Sequence, residues 1–246
     1  SPLETRRLSK WRRALSARRA LPERLRAFSP SRDPSRPLAW FHAPSVGEAL
    51  MASPVLQGLR DIVPTAQLAL TWYSPSTEAF AARFDVDFRD YLPFDTVRGA
   101  DAALDALRPT ALVYAKLDVW PVLTERAARR NVRLGLIAAT MRPRSGRLGI
   151  VARALLSDAY ARLDAVGAVT SEDAERLVAL GARSGAIIVT GDTRYDQVWE
   201  RVKRIDRSMP PVSTLASDRP TIIAGSTWPA DEGPLLESNV TTKSTR

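Results

Sequence analysis

The sequence predicts an α/β protein built on a Rossmann-like, doubly wound parallel sheet, and three observations carry that prediction. Between residues 38 and 204, seven short apolar runs alternate with segments of helical character, the pattern of parallel strands joined by crossover helices and covered on both faces. The stretch Phe41-His42-Ala43-Pro44-Ser45-Val46-Gly47-Glu48 reads as a strand, a tight loop and the start of a helix, the junction at which open α/β sheets collect their ligands. A chain of 246 residues with 45% hydrophobic side chains is also long enough to bury a substantial core, as one large or two small domains.

Taken in order, residues 1–37 read as a basic amphipathic arm and linker. Leu8, Trp11 and Leu15, then Leu21, Leu25 and Phe28, recur at helical spacing. Pro22 suits the first position of a second helix. Nine lysines and arginines crowd the first thirty positions against Glu4 and Glu23, while the remainder of the chain, which carries +9 in all, is close to neutral. Such an arm suits an anionic membrane surface; packed on the main domain, it would be a solvated helix. Ser29 to Pro37 is a polar, proline-rich linker.

Residues 38–204 form the Rossmann-like domain. Its strand candidates are Leu38–Phe41, Gln67–Trp72, Phe88–Leu92, Ala111–Ala115, Val132–Ala138, Ala165–Val169 and Ala186–Thr190. Helix candidates lie around Glu48–Arg60, Thr77–Arg83, Val97–Leu107, Pro121–Arg130, Leu148–Ser157 and Glu172–Leu180. Pro54 should kink the first of these or delay its regular start. Thr170 or Ser171 caps the last, with acids in its first turn, and Gly181 ends it. Residues 205–220, centred on Pro210-Pro211, read as an interdomain linker. Thr221 to Thr227 then begins a new strand and loop, so residues 221–246 read as the truncated start of a second domain.

Several classes of function are excluded. The chain has no cysteine, so it holds neither a disulfide framework nor a thiolate metal site, and its single histidine argues against zinc. No run approaches the roughly 20 apolar residues that span a bilayer, and no secretory signal is visible. Residue 1 is Ser rather than Met, which leaves room for an upstream segment. No strand is followed by Gly-x-Gly-x-x-Gly, so dinucleotide binding is unsupported. A nucleic-acid surface ranks last, because the basic arm interleaves only Trp11 and Phe28 as stacking positions.

Within the junction, Gly47 lets the backbone approach a ligand closely, and Glu48 places a carboxylate in the first turn of the helix. An acid there also complements the helix dipole, by about 0.3–1 kcal/mol, and His42 at a strand end has a plain packing role to set beside a chemical one. A second basic cluster, Arg142, Arg144 and Arg147, follows the fifth strand candidate; guanidinium groups pair with phosphate bidentately, whereas a mobile solvated loop would need no such partner.

With these pieces in place, the chain resembles the Kdo transferases, which attach 3-deoxy-D-manno-oct-2-ulosonic acid to lipid A in Gram-negative bacteria. The resemblance covers residues 38 to 236. His42-Ala43-Pro44-Ser45-Val46-Gly47-Glu48 is close to the family's His-Ala-x-Ser-Val-Gly-Glu, and Tyr91-Leu92-Pro93-Phe94-Asp95 matches Tyr-Leu-Pro-Phe-Asp. Trp120-Pro121 follows the fourth strand as in Glu-Leu-Trp-Pro, Gly191-Asp192-Thr193-Arg194-Tyr195-Asp196 resembles Gly-Asn-Leu-Lys-Phe-Asp, and Gly225-Ser226-Thr227 opens the second half.

The resemblance implies the N-terminal half of a GT-B glycosyltransferase, peripheral on the cytoplasmic face of the inner membrane, with lipid A or its precursor as acceptor and CMP-Kdo as donor substrate. It implies no metal and no cofactor. Glu48 takes the general base's position, supported by Asp118 and Arg194. His42, Ser45, Gly47, Lys116, Arg142, Arg144, Ser145, Ser226 and Thr227 fall on substrate-binding positions. Departures are visible too. Lys116-Leu117-Asp118 stands where the family has Glu-x-Glu, Arg194 replaces a lysine, Thr140 an arginine, and Trp228 a histidine. The family's glycine-rich donor motifs lie beyond Arg246, so these 246 residues are expected to be inactive alone. The alternative reading is a non-catalytic lipid-binding or membrane-docking remnant of the fold.

Overall fold

The structure, a computed structural model, describes residues 2–210, 212–215 and 223–243, with side chains described from residue 12 onward except at 215 and 238–243. The described residues fall into two compact units that divide between Arg201 and Val202.

The first unit is a seven-stranded sheet, all strands parallel: β1 (Leu38–His42), β2 (Gln67–Trp72), β3 (Phe88–Tyr91), β4 (Ala111–Ala115), β5 (Arg133–Ala139), β6 (Ala165–Ala168) and β7 (Ile187–Val189). Their order across the sheet is β3-β2-β1-β4-β5-β6-β7. Every residue of β1 and β2 is buried, as strands covered on both faces must be. The order reverses between β1 and β4, and the crevice outside their C-terminal ends is the topological switch point of this fold.

The helices are α1 (Pro2–Phe28), α2 (Val46–Ile62), α3 (Glu78–Ala81), α4 (Val97–Leu107), α5 (Pro121–Ala128), α6 (Ile150–Ala161), α7 (Ser171–Leu180) and α8 (Thr193–Lys203); the second unit holds α9 (Val212–Leu215) and α10 (Pro229–Lys243). Thr170 caps α7 by accepting the Asp173 N–H at 3.1 Å, and Gly181 ends it with φ of +123°. Among the described residues no helix is long and apolar enough to cross a membrane.

All seven expected strands are present, with ends shifted by at most one residue. Three expectations need correction. Pro22 does not open a second helix: α1 runs through it. An internal proline costs about 3 kcal/mol, but Leu21 and Leu25 are buried against Phe88, Leu104 and Leu107, and each such leucine contributes about 1.5–3 kcal/mol. The arm therefore packs on the sheet in its C-terminal half; Leu8 and Trp11 lie outside the described side chains. Pro54 does not delay α2, which starts at Val46 and buries Ala49, Met51, Ala52 and Leu56. Finally, Ile223 to Thr227 forms no strand, and Thr221 and Ile222 lie outside the described residues. Helix α8 was not expected.

Two arginines of the N-terminal segment have burial that their charge would not suggest. Arg18 is 5% exposed; its Nε donates to Leu92 O at 3.1 Å and its Nη2 to Tyr73 O at 2.9 Å, with the guanidinium 4.2 Å from the Tyr73 ring centre. Arg32 donates to the carbonyls of Leu107 and Arg108 and to Gln67 Oε1 at 2.8–3.0 Å. Both satisfy backbone carbonyls at loop ends, which is what makes burying a guanidinium tolerable.

Candidate active site

The site is assembled from the two strands flanking the switch point. After β1, the chain turns at Pro44 and enters α2 with Ser45 as N-cap. The Ser45 hydroxyl accepts the Gly47 N–H at 3.2 Å and donates to the Glu48 carboxylate. Ser45-Val46-Gly47-Glu48 has the Ser-x-x-Glu spacing of a capping box, and Glu48 is held by the same hydroxyl that caps its helix. A Cβ on Gly47 would meet only Ser45 Oγ, at 3.7 Å, leaving the backbone open to solvent there.

After β4, Lys116 adopts a left-handed conformation, φ +67°. For a residue with a Cβ this is a strained geometry of the kind that clusters at functional sites. Its N–H donates to Ile137 O at 2.8 Å, and its Nζ lies 3.2 Å from Glu48 Oε1. The strained turn thus places a cation against the candidate base. Burial pushes the Glu48 carboxyl up, but the Ser45 hydroxyl and the Lys116 ammonium outweigh it, and Glu48 titrates below the usual glutamate range. It is ionised at neutral pH.

Asp118 completes the group. Its Oδ2 lies 3.1 Å from His42 Nε2 and accepts the Trp120 indole N–H at 3.0 Å. Burial raises its pKa; the hydrogen bond and charge of His42, the Trp120 N–H and Arg147 together bring it below normal. His42 is fully buried, in register between Thr71 of β2 and Tyr114 of β4, with Nδ1 3.1 Å from Thr71 Oγ1. The Thr71 hydroxyl oxygen in turn accepts the Trp40 N–H at 2.9 Å. His42 presents no surface to the crevice and reaches it through Asp118. Tyr73 stacks on Trp120, ring centres 5.6 Å apart, so the aromatic wall continues outward to Arg18.

The motif Tyr91-Leu92-Pro93-Phe94-Asp95 braces this wall from behind. Asp95 accepts the N–H groups of Val122 at 3.1 Å and Leu123 at 2.8 Å, the unpaired donors at the start of α5, where Pro121 needs no partner and the N-cap Trp120 offers no side-chain acceptor.

His42, Ser45, Gly47, Glu48, Lys116 and Asp118 are therefore brought together. Arg142, Arg144 and Ser145 sit on the loop after β5. Arg142 and Arg144 are exposed, Ser145 accepts the Arg147 N–H at 3.4 Å, and the loop is anchored by buried Asp173, which accepts the Met141 N–H at 2.7 Å. Arg194 stands apart from the cluster. It opens α8 beyond β7, three strands or about 14 Å from β4, and its guanidinium is paired with Asp192 at 2.5 and 2.8 Å. Ser226, with φ +59°, and Thr227, which donates to Glu232 at 3.4 Å, lie in the second unit. Sequence reading passed over Thr71, Tyr73, Arg18 and Asp173. Asp173 was legible only as an acid in the first turn of its helix; Thr71, Tyr73 and Arg18 carried no local signal. Among the described residues no group of three or more His, Cys, Asp or Glu side chains is arranged around a metal position.

Comparison with known proteins matches residues 19–197 to the family described as 3-deoxy-D-manno-octulosonic-acid transferase (kdotransferase). A 3-deoxy-D-manno-octulosonic acid transferase of Haemophilus influenzae is 26% identical over 90% of this chain and 52% of its own length. That of Bordetella pertussis is 28% identical over 81% of this chain and 46% of its own. The chain thus spans about half the length of the curated relatives it matches. Among solved structures, a putative UDP-N-acetylglucosamine 2-epimerase of Listeria monocytogenes superposes with a TM-score of 0.55 at 16% identity, over 75% of this chain and 52% of that one. The enzyme of Neisseria meningitidis bound to UDP-GlcNAc does so with a TM-score of 0.53 at 15% identity, over 73% and 52%. These structures show the fold, that of a GT-B N-terminal half.

Proposed function

The chain belongs to the 3-deoxy-D-manno-octulosonic-acid transferase family, and from that premise we propose that it is the acceptor-side half of a Kdo-type glycosyltransferase of lipopolysaccharide biosynthesis. The observation that carries the reading is the ionised Glu48 carboxylate, held at the topological switch point by Ser45 and Lys116. CMP-Kdo is the donor, lipid A or its phosphorylated precursor the acceptor, and the enzyme works at the cytoplasmic face of the inner membrane, with no metal or cofactor in the scheme.

The step balances simply. An acceptor hydroxyl hydrogen-bonds to Glu48, and its oxygen attacks the anomeric carbon of Kdo from the face opposite the cytidine phosphate. The carbon–phosphate oxygen bond breaks, the leaving CMP keeps its electron pair, and the hydroxyl proton passes to Glu48, giving inversion. General-base help of this kind contributes about 10²–10⁴ in rate. Lys116 is 43% exposed; an anionic substrate that takes it as a partner removes the charge depressing Glu48 and raises its basicity. Asp118, fixed by His42 and Trp120, supplies an acceptor for a second substrate hydroxyl, and Arg142 and Arg144 take acceptor phosphates. By the family resemblance alone, Arg194 serves the donor.

The Lys116–Glu48 ion pair also favours the second reading, a lipid-binding remnant whose base is permanently occupied. One assay decides between them: Kdo transfer from CMP-Kdo to a lipid A precursor by the complete gene product. Glu48→Gln is expected to lower kcat by about 10²–10⁴ with folding retained. Wild-type turnover by Glu48→Gln overturns the role of Glu48, and absence of turnover in the unaltered protein selects the second reading.

A further inference from the structure

The first two turns of α6 are apolar on both their inner and outer faces, with Arg153 between them. Leu156 packs inward and Ala159 and Tyr160 are buried, yet Ile150, Val151 and Leu155 face outward, 88%, 74% and 69% exposed. At helical spacing these three and Ala154 form one continuous outer stripe. An exposed apolar stripe of this kind calls for a cover.

The surroundings indicate the charge of that cover. From Thr140 to Ser157 the chain has four arginines and no acid. Arg142, Arg144 and Arg153 are exposed, and none has an ion-pair partner among the described residues. This contrasts with Arg126, Arg130 and Arg162, each bonded to an aspartate. An apolar stripe edged by unpaired cations is the physical signature of a helix lying in an anionic lipid interface, the aliphatic side chains among the acyl chains and the guanidinium groups at the phosphates.

We propose that the outer stripe of α6, with the arginines of the loop before it, seats the protein on an anionic lipid bilayer. The helix issues from the C-terminal end of β5, the edge of the sheet that also carries Glu48 and Asp118. A bilayer under α6 therefore brings a lipid-borne hydroxyl to the mouth of the crevice. That link to catalysis rests on the function proposed above; the lipid binding itself does not. The start of the loop is pinned by Asp173, which accepts the Met141 N–H at 2.7 Å.

The test is co-sedimentation of the complete protein with vesicles of phosphatidylcholine alone and of an equimolar mixture with phosphatidylglycerol. Binding to the anionic vesicles, weakened by salt, is expected. Ile150→Ser with Leu155→Ser should lower partitioning about tenfold or more, and Arg153→Ala alone about fivefold, with unchanged circular dichroism because all three side chains face solvent. Transfer to a detergent-dispersed acceptor should stay at the wild-type rate in the serine double variant. Wild-type partitioning by that variant overturns the proposal, as does equal binding to neutral vesicles. A dimer that the double variant dissociates, in a protein that ignores vesicles, assigns the stripe to a second copy of the chain and overturns it too. Loss of vesicle binding in the α6 variant alongside full transfer by Glu48→Gln would sink the proposed base and leave this surface standing.

Discussion

Replacing Asp95 with alanine should destabilise the protein by removing the start of α5. The carboxylate accepts two N–H groups, from Val122 and Leu123, at a helix whose N-cap, Trp120, offers no side-chain acceptor of its own. Loss of an N-cap costs about 0.5–2 kcal/mol, and an acid at this end of the dipole adds about 0.3–1 kcal/mol. Asp95 is half-buried and α5 buries Leu123, Thr124 and Ala127, which places the sum toward the upper end, about 2–3 kcal/mol. For a unit of this size that corresponds to a Tm lower by about 4–12 °C. Asp95→Asn keeps one acceptor oxygen and loses the charge, so it should recover about half. Scanning calorimetry of the two variants reads the effect directly. Because Trp120 stands at the head of α5 and bonds Asp118, Asp95→Ala should also lower transfer activity more than Asp95→Asn. An Asp95→Ala protein melting within about 1 °C of the original would refute the capping argument.

Two further outcomes are expected. Glu48 must be ionised to act, and Lys116 lowers its pKa while burial raises it, so Lys116→Met should move the acidic limb of the kcat/KM profile to higher pH; an unmoved limb would mean that the ion pair is not made in the working enzyme. Gly99→Ala would normally stabilise a helix by about 1 kcal/mol, but here a Cβ would lie 2.6 Å from the Phe94 carbonyl oxygen, so chemical denaturation should show a loss of stability, and a gain would show that the Phe94 turn is free to shift.

The strands were legible because burial on both faces leaves little but apolar residues: Gln67–Trp72 and Ala111–Ala115 are bounded in the structure as the sequence bounds them. The candidate site was legible only in part. Glu48 and Asp118 announce themselves next to strand ends, but their neighbours come from elsewhere in the chain. Thr71 meets His42 because β2 pairs with β1 in one register, and nothing near residue 71 encodes that pairing. Arg18 looked like one more solvated cation in a basic arm; it is buried because two loop carbonyls, at Tyr73 and Leu92, needed a donor. Pro22 and Pro54 misled for the opposite reason. Their local cost is real, and the burial that overrides it is tertiary. Helix α8 escaped notice since its apolar side chains, among them Tyr195 and Val198, are exposed and the segment reads as polar.

The Arg18 clamp has a practical consequence for anyone handling this protein. It ties the N-terminal helix to the Tyr73–Trp120 stack that leans on Asp118, so a fragment trimmed to begin at the first strand would keep every residue proposed for catalysis and still lose the brace behind one of them. Boundaries for expression, fusion partners and protease sites belong upstream of that arginine, and a weakened shortened version would report on the brace rather than on the chemistry.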